Sequence, residues 1–376
     1  MSRKVYLVLI LTLVLSLALT ACAAPATKEA APQKAEPTAQ PAAPEPTPEP
    51  AQESPKSDTL LPPLDPPEKV KVAYVPIMKF ATMYVAADRG LFEKYGLDVE
   101  IEKVKSGTEA IAFLTNNTVD VGGIAIVTSL WNGWSEGLPL RIIAPGALEP
   151  FENSPTKVVV RKDLVDSGKV KTIADLKGMK VALAGGPGSG GEYLLSKALE
   201  RGDLTIRDVE TIKMGNADIP AAFENGSIDA ALLGSPYADQ VIDAGHGVAL
   251  ATDLTPGLMT VAFVGSENFV NNRKDVAQRF VLALTEASRM MQGDDYLSDE
   301  NIAAYLKYVN STEEAIRKGR RVIYDPNMEI PVEGLADVER THRENGRTEY
   351  TDPIDLNSVV DTSFVDKAIE LLGPAE

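Results

Sequence analysis

Gly186, Gly188 and Gly191 stand in the spacing GxGxxG, after the apolar run MKVALAGG and ahead of a helix-like stretch that begins at Ser189. Such a turn can aim backbone N–H groups at an anionic oxygen, so the first chemistry to test is nucleotide binding. A dinucleotide fold needs an acid at the carboxyl end of the following strand to reach a ribose. Here Glu210 opens the strand VETIKMG, and the carboxyl end carries Met214, Gly215 and Asn216. The phosphate-loop pattern fails as well, because no lysine follows the glycines. Two readings remain. Backbone groups within Gly188, Ser189 and Gly190 contact a ligand oxygen, or Ser189 and Glu192, at capping-box spacing, only close the helix. Glu192 also makes that helix start less welcoming to an anion than to a neutral polar group.

Nucleophilic and metal chemistry are poorly supplied. Cys22 is the only cysteine and His246 and His342 are the only histidines. No thiolate pair, no histidine partner for Ser189 and no ligand-spaced cluster follows from them. The residues point to a binder that is not an enzyme and has neither cofactor nor metal.

The side chains suited to holding a small molecule fall near strand ends. Lys79, Phe80 and Thr82 follow the strand VKVAYVP, and Tyr84 lies in the helix beyond. Thr128 and Trp131 stand at the start of the helix after the third strand, with Trp134 a packing residue. Tyr193 is one turn into the glycine-turn helix, and Asn216, Ser235 and Tyr237 sit at carboxyl ends of later strands. Aromatic walls would suit a planar ligand. Phe80 and Tyr84, four residues apart, could equally face a core, and Asn216 and Ser235 serve as well in turns or caps.

The elements that position these residues alternate. Short apolar strands and amphipathic helices run from VKVAYVP to TVAFVGS, the signature of βαβ units, and the chain then turns helical, with DVAQRFVLALTEASRMM the longest run. LDVEIE sets Leu97, Val99 and Ile101 against three acids, a strand with one wet face; Ser106 and Glu109 have capping-box spacing. The strand-like runs KVVVR and TVAFVG bracket a second unit and are expected to be hinge crossings. The organisation expected is α/β in two lobes: 69–156 and 263–376 form lobe one and 157–262 lobe two. Each lobe holds a mainly parallel sheet flanked by helices.

The amino-terminal part is of another kind. Arg3 and Lys4 precede an uncharged apolar run that ends in Leu19-Thr20-Ala21-Cys22, a secretory signal over 1–22. From 23 to 68 come half of the 26 prolines and almost no large apolar residue, a composition that cannot build a core. The formal net charge of −17 disfavours nucleic acid as a partner.

Several phrases carry a family resemblance: YVPIMKFATMYVAADRGLFEKYGLDVEI, VDVGGIAIVTSLWNGWSEGLPLRIIA, VRKDLVDSGKVKTIADLKGMKVAL and AAFENGSIDAALLGSPYADQVIDAG. Together they resemble the nitrate/sulfonate/taurine-type solute-binding proteins of ABC importers, with the type 2 periplasmic-binding fold. FATMYVA and LWNGW are nearer the branch that takes riboflavin and thiamine precursors. The resemblance implies a monomeric receptor that closes two lobes over a small organic solute. Riboflavin or another aromatic heterocycle is the first expectation, a sulfonate, taurine or nitrate the second, and a thiamine-pyrimidine-synthase-like enzyme a distant third. It also implies delivery to permease subunits driven by a cytoplasmic ATPase. The leader resembles a lipobox, which implies lipidation (palmitate) of Cys22 and anchoring on the extracytoplasmic side of the cell membrane.

Overall fold

The computed structural model describes residues 60–104 and 107–375. The signal segment, Cys22, most of the proline-rich stretch and Ser106 of the expected capping box lie outside the described residues. Among the described residues, ten strands form two five-stranded sheets. Sheet one holds β1 (Glu68–Tyr74), β2 (Leu97–Lys103), β3 (Val121–Ala125), β4 (Arg141–Pro145) and β10 (Val261–Gly265), in the order β2-β1-β3-β10-β4. Sheet two holds β5 (Lys157–Arg161), β6 (Lys180–Leu183), β7 (Glu210–Lys213), β8 (Ala230–Leu233) and β9 (Gly247–Ala251), in the order β7-β6-β8-β5-β9.

The two sheets follow one plan. A parallel trio (β2-β1-β3, β7-β6-β8) is extended by an antiparallel strand, β10 in sheet one and β5 in sheet two. Each antiparallel strand is the one that arrives from the other sheet. KVVVR and TVAFVG are therefore strands inside the sheets, which corrects their expected role. The crossings are the neighbouring segments 146–156 and 252–260, and these pair with each other: the Glu149 N–H donates to Leu258 O and the Gly257 N–H to Glu149 O.

Local sequence explains the strands. β1 buries Val70, Val72, Ala73 and Tyr74, and β2 alternates as its three acids require, with Leu97 buried and Asp98, Glu100 and Glu102 exposed. The helix Lys274–Arg289 closes one face of sheet one, because Val276, Ala277, Phe280, Val281, Leu284 and Ala287 recur at helical spacing and are all buried. Phe280 stacks on Phe92 at 5.1 Å. Leu61 and Leu64, within the proline-rich stretch 23–68 expected to build no core, pack on this same core.

A second apolar cluster is shared by both sheets. Trp131, Ile124 and Ile142 belong to it together with Val181, Leu183 and Tyr193. Leu335 and Val338 join it from the helix Val332–Glu344. Sequence periodicity did not mark that helix, because two positions of its buried face are Glu339 and His342. It lies against the glycine-turn helix Gly190–Glu200 of sheet two, within a region expected to stay with lobe one. The chain then returns to sheet one, where Val360 bridges Ile142.

Candidate functional site

In each sheet the turn after the first strand of the parallel trio reaches the boundary with the other sheet. After β1, the Lys79 ammonium pairs with the Glu149 carboxylate of the first crossing and donates to Thr260 Oγ1 of the second at 2.9 Å. The Lys79 carbonyl accepts from the Ala147 N–H at 2.8 Å. Glu149 is buried, and its other oxygen accepts from Ser154 Oγ at 3.3 Å. A buried carboxylate is tolerated only with such partners, so this ion pair fastens one turn to both crossings.

After β6 the chain turns through Gly185, Gly186 and Gly188, all with φ between +72° and +83°, a region costly for any side chain but glycine's hydrogen. Ser189 then caps the helix, its Oγ accepting from the Glu192 N–H at 3.2 Å. The Glu192 carboxylate accepts from the Gly188 N–H at 2.7 Å rather than from the cap residue, so the box closes one residue upstream. The Gly188 carbonyl accepts from both the N–H (3.0 Å) and the Oγ1 (2.7 Å) of Thr128, a residue of the sheet-one region. A Cβ on Gly188 would stand 2.2 Å from Thr128 Oγ1. A Cβ on Gly190 would meet Thr260, the residue that Lys79 touches.

Lys79, Thr128, Gly188, Ser189 and Gly190 are thus brought together at the boundary. Others lie elsewhere. Phe80 is buried edge-on to Phe263 at 5.4 Å, and Tyr84 is buried, stacked on Tyr308 at 5.0 Å, with its hydroxyl donating to Ile77 O. Thr82 is buried between them in sequence, its hydroxyl without a protein partner. Trp131 is fully buried against Trp134, its Nε1 unpartnered. Tyr193 is buried too and donates to Asp337 at 2.7 Å. Burial and that carboxylate push the Tyr193 hydroxyl well above its ordinary pKa. Burial works against charge on Asp337, yet the bonds from Tyr193 and Arg340 hold its carboxyl below the usual range. Asn216 is exposed, Ser235 donates to Asp239, and half-buried Tyr237 packs against the apolar cluster that holds Ile219 and Phe223.

Sequence reasoning missed several groups here. Glu149, Ser154 and Thr260 carry no motif. Lys157, nearly buried, faces Asp239 at 3.6 Å. Phe151, 69% exposed, lies over Gly257 of the other crossing, an aromatic face open to solvent. Glu192 is fully buried and paired with Arg347, which donates from Nη2 at 2.7 Å and from Nε at 3.0 Å. That pairing corrects the expectation that Glu192 would repel an anion, since its charge is already compensated. An open hollow of about 360 Å³, lined by Arg161, Phe223 and His246 among others, lies by the amino ends of β8 and β9, away from this boundary. Among the described residues no group of three His, Cys, Asp or Glu side chains is placed to hold a metal.

The model of the NMT1-like family matches residues 64–309, more than half of the chain and all ten strands. The chain belongs to the NMT1-like family. A relative from Brucella abortus, named as a binding protein, is 26% identical over 233 residues. The match covers 59% of this chain and 66% of that relative, just under two thirds of its length. The fold is shared with the ligand-binding component of an ABC-type import system from Staphylococcus aureus (TM-score 0.63, 15% identity, 80% of this chain and 99% of that one). It is shared also with the periplasmic aliphatic sulphonate binding protein of Escherichia coli (TM-score 0.61, 21% identity, 79% and 92%). For this NMT1-like chain the two-lobed α/β architecture expected from the sequence is the one observed.

Proposed function

We propose that this protein is the substrate-binding component of an ABC importer, which captures a small organic solute between its two sheets and hands it to permease subunits driven by an ATPase. In this reading the protein works outside the cytoplasm, held to the membrane by lipid on Cys22. The observation that carries the reading is the meeting of two turns, one per sheet, on the same pair of crossings. Such a boundary closes by bending at the crossings, and a ligand touching both sides favours the closed form. The fold alone would not decide between a binder and an enzyme. The family relatives named as binding proteins add the support for a binder.

For the ligand, a neutral polar solute is the first reading, with riboflavin or another aromatic heterocycle at its head. Two lysines near the boundary, Lys79 and Lys157, already face Glu149 and Asp239, whereas exposed Lys213, whose stem lies beside Gly186, faces neither of them. A sulfonate or nitrate would have to compete with those carboxylates. Tyr84, Trp131 and Tyr193 have packing partners inside the cores and do not form the expected aromatic wall, whereas exposed Phe151 is free to stack. An anion stays the second reading, supported by the likeness to the sulphonate-binding fold and by the compensation of Glu192. The test is to purify the chain without added ligand, scan its visible absorbance, and follow thermal shifts with riboflavin, taurine and nitrate. Flavin absorbance or a riboflavin-specific shift is expected; a shift with taurine or nitrate alone would overturn the neutral-ligand reading.

A further inference from the structure

The carboxy-terminal region adds a connection between the lobes that the two crossings do not explain. The helix Asp299–Tyr308 packs on Ala81–Asp88 at sheet one, and Ile323 then pairs with Leu148 of the first crossing in both directions. The helix Val332–Glu344 lies on sheet two's glycine-turn helix, and Val360 is back at sheet one. Between these last two points, residues 345–350 touch both sides. Asn345 donates to Ser196 Oγ at 3.0 Å and Arg347 to Glu192, both on the glycine-turn helix. The Glu349 N–H donates to Asn132 Oδ1 at 3.0 Å, on the helix that begins at Thr128.

These contacts form a continuous line. Arg347 holds Glu192, Glu192 holds the Gly188 N–H, and the Gly188 carbonyl holds Thr128. We propose that Arg347 is a positioning residue for ligand capture: by neutralising buried Glu192 it fixes the peptide at Gly188 that joins the lobes, so the carboxy-terminal strap sets the closed geometry of the site. The role in capture rests on the solute-binding reading; the mechanical link from Arg347 to Gly188 does not.

The physical reason is the burial of Glu192. Without Arg347 its charge would have no cation, and the carboxyl would either take a proton or draw water. Either outcome disturbs the turn, because the cost of an uncompensated buried charge is relieved only by moving the carboxyl or admitting solvent beside the Gly188 N–H. A glutamine at 192 carries no charge to compensate and still offers a carbonyl oxygen to Gly188. The prediction therefore differs between a single and a double change, and a helix merely glued to its neighbour would not show that difference.

Hydrogen exchange on the full chain, read on peptides covering 185–191, tests the link without any ligand. Arg347→Met should speed exchange there roughly tenfold or more. Arg347→Lys should keep most of the protection, and Arg347→Met/Glu192→Gln should recover it. Unchanged exchange in Arg347→Met, or a double variant as fast as the single one, would overturn the positioning role. Should riboflavin, taurine and nitrate all fail to bind wild type while the exchange pattern holds, the solute reading falls and the mechanical link stands.

Discussion

The turns after β1 and β6 hold equivalent places in two sheets built on one plan, yet they reach the boundary with different chemistry. The β1 turn adds a side chain to its backbone bond from the Ala147 N–H: a single ammonium group gathers Glu149 and Thr260 from the two crossings. The β6 turn uses the backbone, with the Gly188 carbonyl accepting twice from Thr128 and its N–H spent on Glu192. A lysine tether is long and tolerates rotation about the crossings. A glycine held at 2.7–3.0 Å through both its N–H and its carbonyl does not. In the proposed capture cycle the β1 turn belongs to the hinge and the β6 turn to the contact that forms and breaks.

The largest expected effect is on the lysine side. Lys79→Met strands a carboxylate that is only 2% exposed, and the loss should be about 3–5 kcal/mol of unfolding free energy. Denaturant unfolding checks this, with Lys79→Met/Glu149→Gln recovering most of it. A loss under about 1 kcal/mol would mean that the pair does not hold the crossings.

Next comes a pH effect near the backbone side. His342 is fully buried with neither ring nitrogen partnered, and burial lowers its pKa to about 4, with Glu192 pulling it up and Arg347 pushing it down. The folded protein therefore resists protonation that the unfolded chain accepts from about pH 6.5 downward. Stability from this group is full above about 6.5 and is lost as pH falls from there to about 4, on the order of 3 kcal/mol in all. Melting temperatures across that window should fall less steeply in His342→Leu than in wild type. Parallel curves would remove His342 from the account.

The effect with the smallest conformational cost separates the turns most sharply. Gly188→Ala places a side chain at φ +74°, with its Cβ against Thr128, and should cost about 1–2 kcal/mol from conformation alone. It should also abolish ligand-induced thermal shifts, whereas alanine at Gly178, φ +74° with nothing near its Cβ, should carry the conformational cost without that loss. Equal ligand shifts in both variants would deny the β6 turn its role.

Much of the fold was legible because period-two and helical patterns are local. β2's wet face and the long helix Lys274–Arg289 follow directly from residue order. The helix Val332–Glu344 escaped because Glu339 and His342 occupy buried positions that a hydrophobic pattern leaves blank. Its ends were marked all the same, by Pro331 before it and by Gly346 after it at φ +69°. The site was half legible. The glycines at Gly186 and Gly188 and the cap at Ser189 announce a turn, while Arg347, 155 residues from Glu192, and Glu149, 70 from Lys79, leave no local trace. The aromatic residues misled for a related reason, since a tyrosine spaced for a core and one spaced for a wall look alike along a helix.

Hydrogen exchange on the full chain, with and without saturating riboflavin and with taurine and nitrate as parallel arms, tests capture between the lobes most directly. One of these ligands should protect 75–80 and 184–190 together, because a molecule held at the boundary must quiet both turns. Protection of a single turn, or of neither in every arm, would contradict capture between the two sheets.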